Sequence, residues 1–503
     1  MDNRIEEKIS TIAGQTGISL TGGVVESGLK YAYNVIIARN IGAELLGIYF
    51  LGLTVINFAG VFSRLGLDNG VLHFVALYKG TDDSQRVKGI IFLALKITLM
   101  ASISLSGFLF LYADRISLNI FNEPCLTSTI RFFLLSLPFS GLLAVLLSYF
   151  QAFHRLKYRI FVQGIFQPTL NILIVLVLFF LGLKLLGAIF SYVISIILSL
   201  GLAVYYMRSK FTIFDNDKEI TPIFEGRRLL KFSLPLLFVS FLSLVIQWTD
   251  TLMLGYFREP QEVGIYNMAL RTAMLCALIL ISFNSVFAPM ISDLYHRREI
   301  GQLETLFKVG TKWIFSLTFP IFLLFMFFAR DVLNIFGSEF VSGAPSFILL
   351  SFAQLVNAAV GSVGYMIMMS GRPNISLINV AALCLMNVTL NFLLIPIYGI
   401  WGAAIATATS LILINLIGLI EVYYLLKIHP YSRGYIKPLI AGVISAFTFC
   451  TFKSWVIGIF TVGWLISSAL IFLCVYTSVL YLLRFDREDR LIFDILRKRF
   501  VVI

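Results

Sequence analysis

Eight side chains carry charge or strong hydrogen-bonding groups into stretches that are otherwise apolar: the acids Glu26 and Asp250, the cations Lys30, Lys96, Arg271 and Lys312, and the neighbours Tyr33 and Asn34. An ionisable group inside a hydrophobic segment is costly, so each is a functional candidate by default. Glu26 and Lys30 stand four residues apart, which puts them on one helical face within pairing distance. Tyr33 and Asn34 extend that face by a turn. Such a stripe fits a cavity wall that meets a polar substrate or a coupling ion. The plainer reading is a self-neutralising pair that lets the helix insert, although two turns of polar side chains exceed what insertion requires.

Asp250, in Gln247-Trp248-Thr249-Asp250, has no base at helical spacing. It either binds a cation or proton, or pairs with a base on another helix, for which Arg271, with Asn267 beside it, is the candidate. Lys96 and Lys312 lie 216 residues apart, at nearly equivalent positions of an internal repeat described below. Cations projecting into a central cavity from both copies suit an anionic, phosphate-bearing substrate. The alternative is that their long stems snorkel to the membrane interface. Arg64 and Asp68 read as interfacial or gating residues, and Glu421 and His429 as interfacial. Pro138, Pro168, Pro235, Pro289, Pro320 and Pro345 interrupt apolar runs and read as helix kinks.

The elements that position these residues must be membrane helices. The chain has 503 residues, 59% hydrophobic and 13% charged, and its mean hydropathy is +0.91. A soluble domain carries about 25% charge, so this is an integral membrane protein. A span needs about 20 mostly apolar residues, and about fourteen such runs are present. They lie near 15–38, 44–64, 88–113, 130–152, 159–181, 184–207, 232–257, 263–291, 309–329, 343–370, 374–396, 400–426, 435–453 and 460–483. Long runs without alternation are helices rather than barrel strands.

With the N-terminus inside and the spans alternating, 28 of the 39 Lys and Arg fall on inner segments and 6 on outer ones. That bias sets the orientation and leaves both termini cytoplasmic. It also accounts for the net charge of +12 better than nucleic-acid binding does. The N-terminus lacks a cleavable-signal pattern, so the first helix is expected to direct insertion.

The chain also matches itself. Leu118-Asn119-Ile120-Phe121 returns as Leu333-Asn334-Ile335-Phe336, Gly47-Ile48-Tyr49 as Gly264-Ile265-Tyr266, Arg155 as Arg372, Gly187-Ala188 as Gly402-Ala403, and Tyr205-Tyr206 as Tyr423-Tyr424, at offsets of 215 to 218 residues. The expected organisation is a six-helix half over 1–210, a cytoplasmic linker over 211–231, and a second six-helix half over 232–430. Two extra helices and a cytoplasmic amphipathic tail, with Leu491, Ile492, Ile495 and Leu496 set among charges, fill 431–503. An even number of spans per half makes the halves parallel, related by a pseudo-two-fold axis along the membrane normal.

The five cysteines lie far apart, with no CxxC pair or Cys/His cluster, so neither a zinc site nor a disulfide framework is expected. Walker A and HExxH sequences are absent. Asp82-Asp83 is a lone acidic pair, and no loop is long enough to house a catalytic domain. A transporter without a cofactor or resident metal is expected, not an enzyme.

About fourteen spans in two halves resemble the MOP exporter superfamily. The stretch Ala38-Arg39-Asn40-Ile41-Gly42-Ala43-Glu44-Leu45-Leu46-Gly47-Ile48-Tyr49 is similar to the turn after the first span of its polysaccharide-transporter branch. Asp250-Thr251-Leu252-Met253-Leu254-Gly255-Tyr256-Phe257 with Val263-Gly264-Ile265-Tyr266 resembles it at the second copy, and Gly66-Leu67 and Ser370-Gly371-Arg372 also fit. The resemblance implies a flippase for a lipid-linked oligosaccharide on a polyprenyl phosphate or diphosphate, working beside glycosyltransferases and a polymerase in the cytoplasmic membrane. On that resemblance a sodium or proton gradient acting through Glu26 or Asp250 would supply energy, with uncoupled transport as the alternative. The competing readings are a cation-coupled exporter of organic cations, whose cavity acids should dominate, a membrane polysaccharide polymerase or ligase, which needs a long outer loop, and a lipid II flippase.

Overall fold

The computed structural model describes residues 2–81, 83–153, 155–210, 221–455 and 462–483, and every regular element among them is helical. In hydrocarbon every backbone polar group must be satisfied within its own segment, which helices achieve. The expected tail helix and residues 211–220 of the linker lie outside the described residues.

The first helix, α1 (Asp2–Arg64), is far longer than a bilayer crossing and is broken at Gly42, whose φ of 78° and ψ of 175° are not helical. The break falls between the first two expected spans. The stretch 43–64 can cross about 30 Å of hydrocarbon once at about 1.5 Å per residue. After Leu65 and Gly66, both at positive φ, comes α2 (Leu67–Gly80), then α3 (Ser84–Arg115). Next come α4 (Pro124–Leu134) and α5 (Leu137–Ala152), bent by 46°. A short α6 (Leu156–Arg159) runs into a π-helical stretch, Ile160–Phe166, and then α7 (Gln167–Phe180) and α8 (Lys184–Lys210). The chain continues through α9 (Gly226–Phe257), α10 (Pro260–Ala273), α11 (Ala277–His296), α12 (Ile300–Phe327), α13 (Ala329–Asn334), α14 (Ala344–Val360) and α15 (Val363–Met369). It ends in α16 (Pro373–Tyr398), α17 (Ile400–Leu426), α18 (Ile436–Trp455) and α19 (Val462–Leu482).

Among the described residues ten helices, counting Gly22–Arg64 as one, are long and apolar enough to cross a membrane, and the bent pair α4–α5 makes an eleventh, against about fourteen runs expected from the sequence. The chain is a multi-pass membrane protein. The prolines mostly fall where helices are interrupted. Pro235, Pro289 and Pro320 lie inside helices, Pro138 follows the 46° bend between α4 and α5, and Pro168 follows the π-helical stretch. Pro345 instead occupies the first turn of α14, where the missing N–H costs little.

The chain divides into two compact units: residues 1–268 with 391–403, and 269–390 with 404–503. The division at Met268 falls inside the second sequence copy rather than in the linker. Lipid tails are as apolar as leucine, so helices in a bilayer associate by close packing and hydrogen bonds, helped by small residues at the contacts.

The first unit follows this rule. A Cβ on Gly47 would come 1.7 Å from the carbonyl oxygen of Pro260, and one on Gly264 would come 2.1 Å from that of Ala43. Ala43 and Pro260, like Gly47 and Gly264, are 217 residues apart, so the contact is reciprocal between repeat-equivalent corners. Ser233 of α9 packs against Gly66 and Gly70 in the same way. Below these contacts Leu67, Val71, Phe74, Ile90, Leu146, Tyr149, Phe150 and Leu229 form a buried cluster.

The second unit is centred on α12. Ile291, Leu303, Phe307, Met366, Ile367 and Val422 form its buried cluster. Gly361, at a φ of +77°, separates α14 from α15 and lies so close to Thr311 that a side chain there would clash. The Tyr435 hydroxyl donates to the Ala359 carbonyl near that break at 2.9 Å.

Candidate functional site

Asp250 sits near the C-terminal end of α9 and is 4% exposed. The Tyr266 hydroxyl of α10 donates to its Oδ2, and the Asn391 amide of α16 donates to Oδ1 at 2.6 Å. Both donors are fully buried. Around them Asn267 donates to Thr251 Oγ1 at 3.2 Å and to the Val263 carbonyl at 3.0 Å. A buried carboxylate must find donors or a counter-charge, and here each oxygen has a neutral donor. The same groups suit a small hard cation. The Tyr266 oxygen, the Asn391 amide oxygen after rotation, and the carboxylate are all oxygen ligands. The expected candidate partner, Arg271, is half-buried on α10.

The first sequence copy carries a neutral version of this arrangement. Tyr33 is the residue 217 before Asp250, and Tyr49 the residue 217 before Tyr266. Their hydroxyls lie 3.3 Å apart, both buried, and Tyr33 also contacts Ser191 Oγ at 3.1 Å and donates to the Ala188 carbonyl at 3.2 Å. Asn34, beside it, is buried as well. A helix–helix hydrogen bond thus recurs at equivalent positions, with a phenol in one copy and a carboxylate in the other. Tyr266 was within reach of sequence reasoning, since Tyr49 and Tyr266 belong to the repeated Gly-Ile-Tyr. Asn391 had no such signal, because it reaches Asp250 only through the tertiary fold.

Glu26 and Lys30 form the expected ion pair, Nζ to Oε1 at 2.5 Å, with side chains 30% and 56% exposed. The pair is therefore accessible, unlike Asp250. Arg64 and Asp68 also pair, at 3.6 Å. The two repeat-related lysines differ: Lys96 is exposed on α3, whereas Lys312 is 6% exposed on α12, and the Lys312 carbonyl accepts from Ser316 at 2.7 Å. Glu421 accepts from Asn379 at 2.5 Å, a link between α16 and α17 that the interfacial reading did not include. Among the described residues no group of three or more His, Cys, Asp or Glu is placed to hold a metal ion.

Outside the spans, Glu225 at the start of α9 accepts from the Tyr78 hydroxyl of α2 and pairs with Arg86 at 3.1 Å and Arg228 at 3.4 Å. Burial, and then the Glu225 carboxylate, push the Tyr78 phenol above its ordinary range. Burial, and then Arg155, pull the Lys79 ammonium down.

Long apolar helices with polar clusters buried among them define a polytopic membrane protein. The sequence profile of the polysaccharide biosynthesis proteins matches residues 12–295, more than half of the chain, and the chain belongs to that family. The MatE profile matches residues 235–393. Among relatives, an uncharacterized membrane protein of Methanocaldococcus jannaschii, MJ1068, is 29% identical over 211 residues, 40% of each chain. The probable low-salt glycan biosynthesis flippase Agl15 of Haloferax volcanii is 27% identical over 32% of this chain and 35% of its own length. These two matches therefore span well under half of each relative. Stage V sporulation protein B of Bacillus subtilis is 22% identical over 95% of this chain and 96% of its own. Two solved structures share the fold. The lipid II flippase MurJ, in an inward closed conformation, has a TM-score of 0.72 at 14% identity over 91% of this chain and 97% of its own. An inward-facing multidrug resistance transporter of the MATE family has 0.69 at 17% identity over 80% and 94%.

Proposed function

We propose that the protein is a flippase that moves a polyprenyl-phosphate- or polyprenyl-diphosphate-linked oligosaccharide across the cytoplasmic membrane for cell-surface polysaccharide assembly. The carrying observation is its membership of the polysaccharide biosynthesis family, with a glycan biosynthesis flippase among its relatives. The chemistry agrees. A large, polar, anionic head group crosses hydrocarbon only inside a hydrated cavity, and cations within the spans supply the matching charge. In this reading Lys30, Lys96, Arg271, Lys312, Tyr33 and Asn34 face the substrate, and Glu26 or Asp250 takes a sodium ion or proton. Twelve of the fourteen spans form two six-helix halves, 1–210 and 232–430, related by a pseudo-two-fold axis along the membrane normal, and the last two stand outside them. The reciprocal packing of Gly47 and Gly264 and the matched Tyr33–Tyr49 and Asp250–Tyr266 hydrogen bonds support that duplication. The halves rock by alternating access, both termini lie in the cytoplasm, and the protein works beside glycosyltransferases and a polymerase without catalysing a reaction itself.

Removing the gene from its host tests the reading. Glycan-charged polyprenyl lipid should build up on the inner leaflet, out of reach of an external glycosidase. An unchanged lipid distribution together with new sensitivity to organic cations would reassign the protein as a cation exporter, the reading to which the MatE match gives weight.

A further inference from the structure

Arg159 is the last residue of α6 and leads directly into the π-helical stretch Ile160–Phe166, within the candidate span Leu156–Phe180. The expected apolar run 159–181 begins at this residue. Its guanidinium is half-buried, and its hydrogen-bond partner is a neutral one, the Gln151 side-chain oxygen of α5. Two carboxylates, Glu26 and Asp68, lie near enough to act on it through space. Each already has a cation of its own: Glu26 pairs with Lys30 at 2.5 Å, and Asp68 with Arg64 at 3.6 Å. Glu26 is held against the π-helical stretch, where a Cβ on Gly164 would come 3.1 Å from its Oε2. The result is a cluster from α1, α2, α5 and α6 in which three cations face two carboxylates. Among the described residues Arg159 makes no ion pair.

An arginine at the start of a span, hydrogen-bonded only to a neutral group while both nearby carboxylates are paired with other cations, is costly unless something uses it. Arginine presents five N–H donors in a planar fork that matches phosphate oxygens, and only one nitrogen is engaged here. π-helical turns are rare and frequent at functional sites, although a second one, Ile116–Ile120, follows α3. We propose that Arg159 is a phosphate-receiving residue of the first half, binding the lipid-linked phosphate of the substrate with Lys30 and Arg64 beside it. The assignment rests on the flippase reading and adds to it the group that meets the phosphate. Lys30 is free to contribute because its ammonium is largely exposed even while paired with Glu26.

The test is binding of radiolabelled long-chain polyprenyl monophosphate, against polyprenol as the phosphate-free control, to the full chain in phosphatidylcholine nanodiscs. Wild type should prefer the phosphate form. Arg159→Gln should weaken that binding about 10- to 100-fold, the loss of a hydrogen-bonded charge, and leave polyprenol binding and the melting temperature unchanged. Arg159→Lys, which keeps the charge and loses the fork, should fall between, and Lys184→Gln at a distant turn should match wild type. Wild-type affinity in Arg159→Gln overturns the assignment while leaving the flippase reading intact. Equal competition by phosphatidylglycerol overturns it too, since the site would then serve bulk anionic lipid. A wild-type protein that binds polyprenyl phosphate no better than polyprenol overturns both this assignment and the flippase reading.

Discussion

Asp250 is buried between donors from two other helices. Its two oxygens accept from Tyr266 and Asn391, and all three groups are buried. Removing one donor leaves a buried acceptor short of a partner, which costs about 1–3 kcal/mol. Tyr266→Phe is therefore expected to lower thermal stability by that order, and Tyr49→Phe, in the neutral copy, by less. If Asp250 carries the coupling ion, Asp250→Asn should keep the fold and make transport indifferent to an imposed sodium or proton gradient. Comparing rates with and without the gradient checks this, and an unchanged gradient response would remove Asp250 from the coupling role. At this scale the sequence exposed the charged groups well and their partners unevenly. The Glu26–Lys30 pair follows from helical spacing alone. Asn391 stands 141 residues from Asp250, where no local rule reaches.

The helices themselves were legible where length and apolarity decide. The break at Gly42 falls between the first two expected spans, and the apolar runs became helices. What escaped is α2, which the sequence reading left as loop. It is 14 residues long, too short to register as a span, yet Leu67, Val71, Phe74, Val75 and Tyr78 repeat at helical intervals and bury one face. The π-helical stretch and the split of α14 from α15 at Gly361 also carried no periodic signal.

Two predictions belong to this scale. Gly47→Val and Gly264→Val push side chains into opposing backbone and should each cost at least about 1–3 kcal/mol. Gly28→Ala, a helical position with nothing within 4 Å, should be neutral or stabilising by up to about 1 kcal/mol. Melting temperatures of the three variants separate the cases. The Tyr78–Glu225 contact gives a pH prediction. The phenol of Tyr78 is raised in the folded state, so its stabilisation is complete below its ordinary value of about 10 and is lost as pH climbs through the higher folded value. The wild-type advantage in melting temperature over Tyr78→Phe should hold from pH 7 to 10 and shrink above that.

For the whole molecule, the all-helical membrane class was readable from composition, and the polysaccharide biosynthesis family from the motifs around Gly47 and Gly264. The compact units were not: their division at Met268 depends on how α9 and the first part of α10 pack with α1 and α2, through contacts such as Gly47 on Pro260 and Ser233 on Gly66 and Gly70. The two copies contribute unequally to the candidate residues. Lys96 is exposed where Lys312 is buried, and Tyr33 stands where Asp250 does in the other copy. Duplication therefore predicts positions better than roles.

The most direct measurement is transport in proteoliposomes carrying a fluorescent polyprenyl-diphosphate oligosaccharide, read as protection from a membrane-impermeant quencher. The account predicts protein-dependent flipping that slows in Lys96→Ala and Lys312→Ala. No flipping of any lipid-linked sugar, with export of organic cations that requires Asp250, would contradict it.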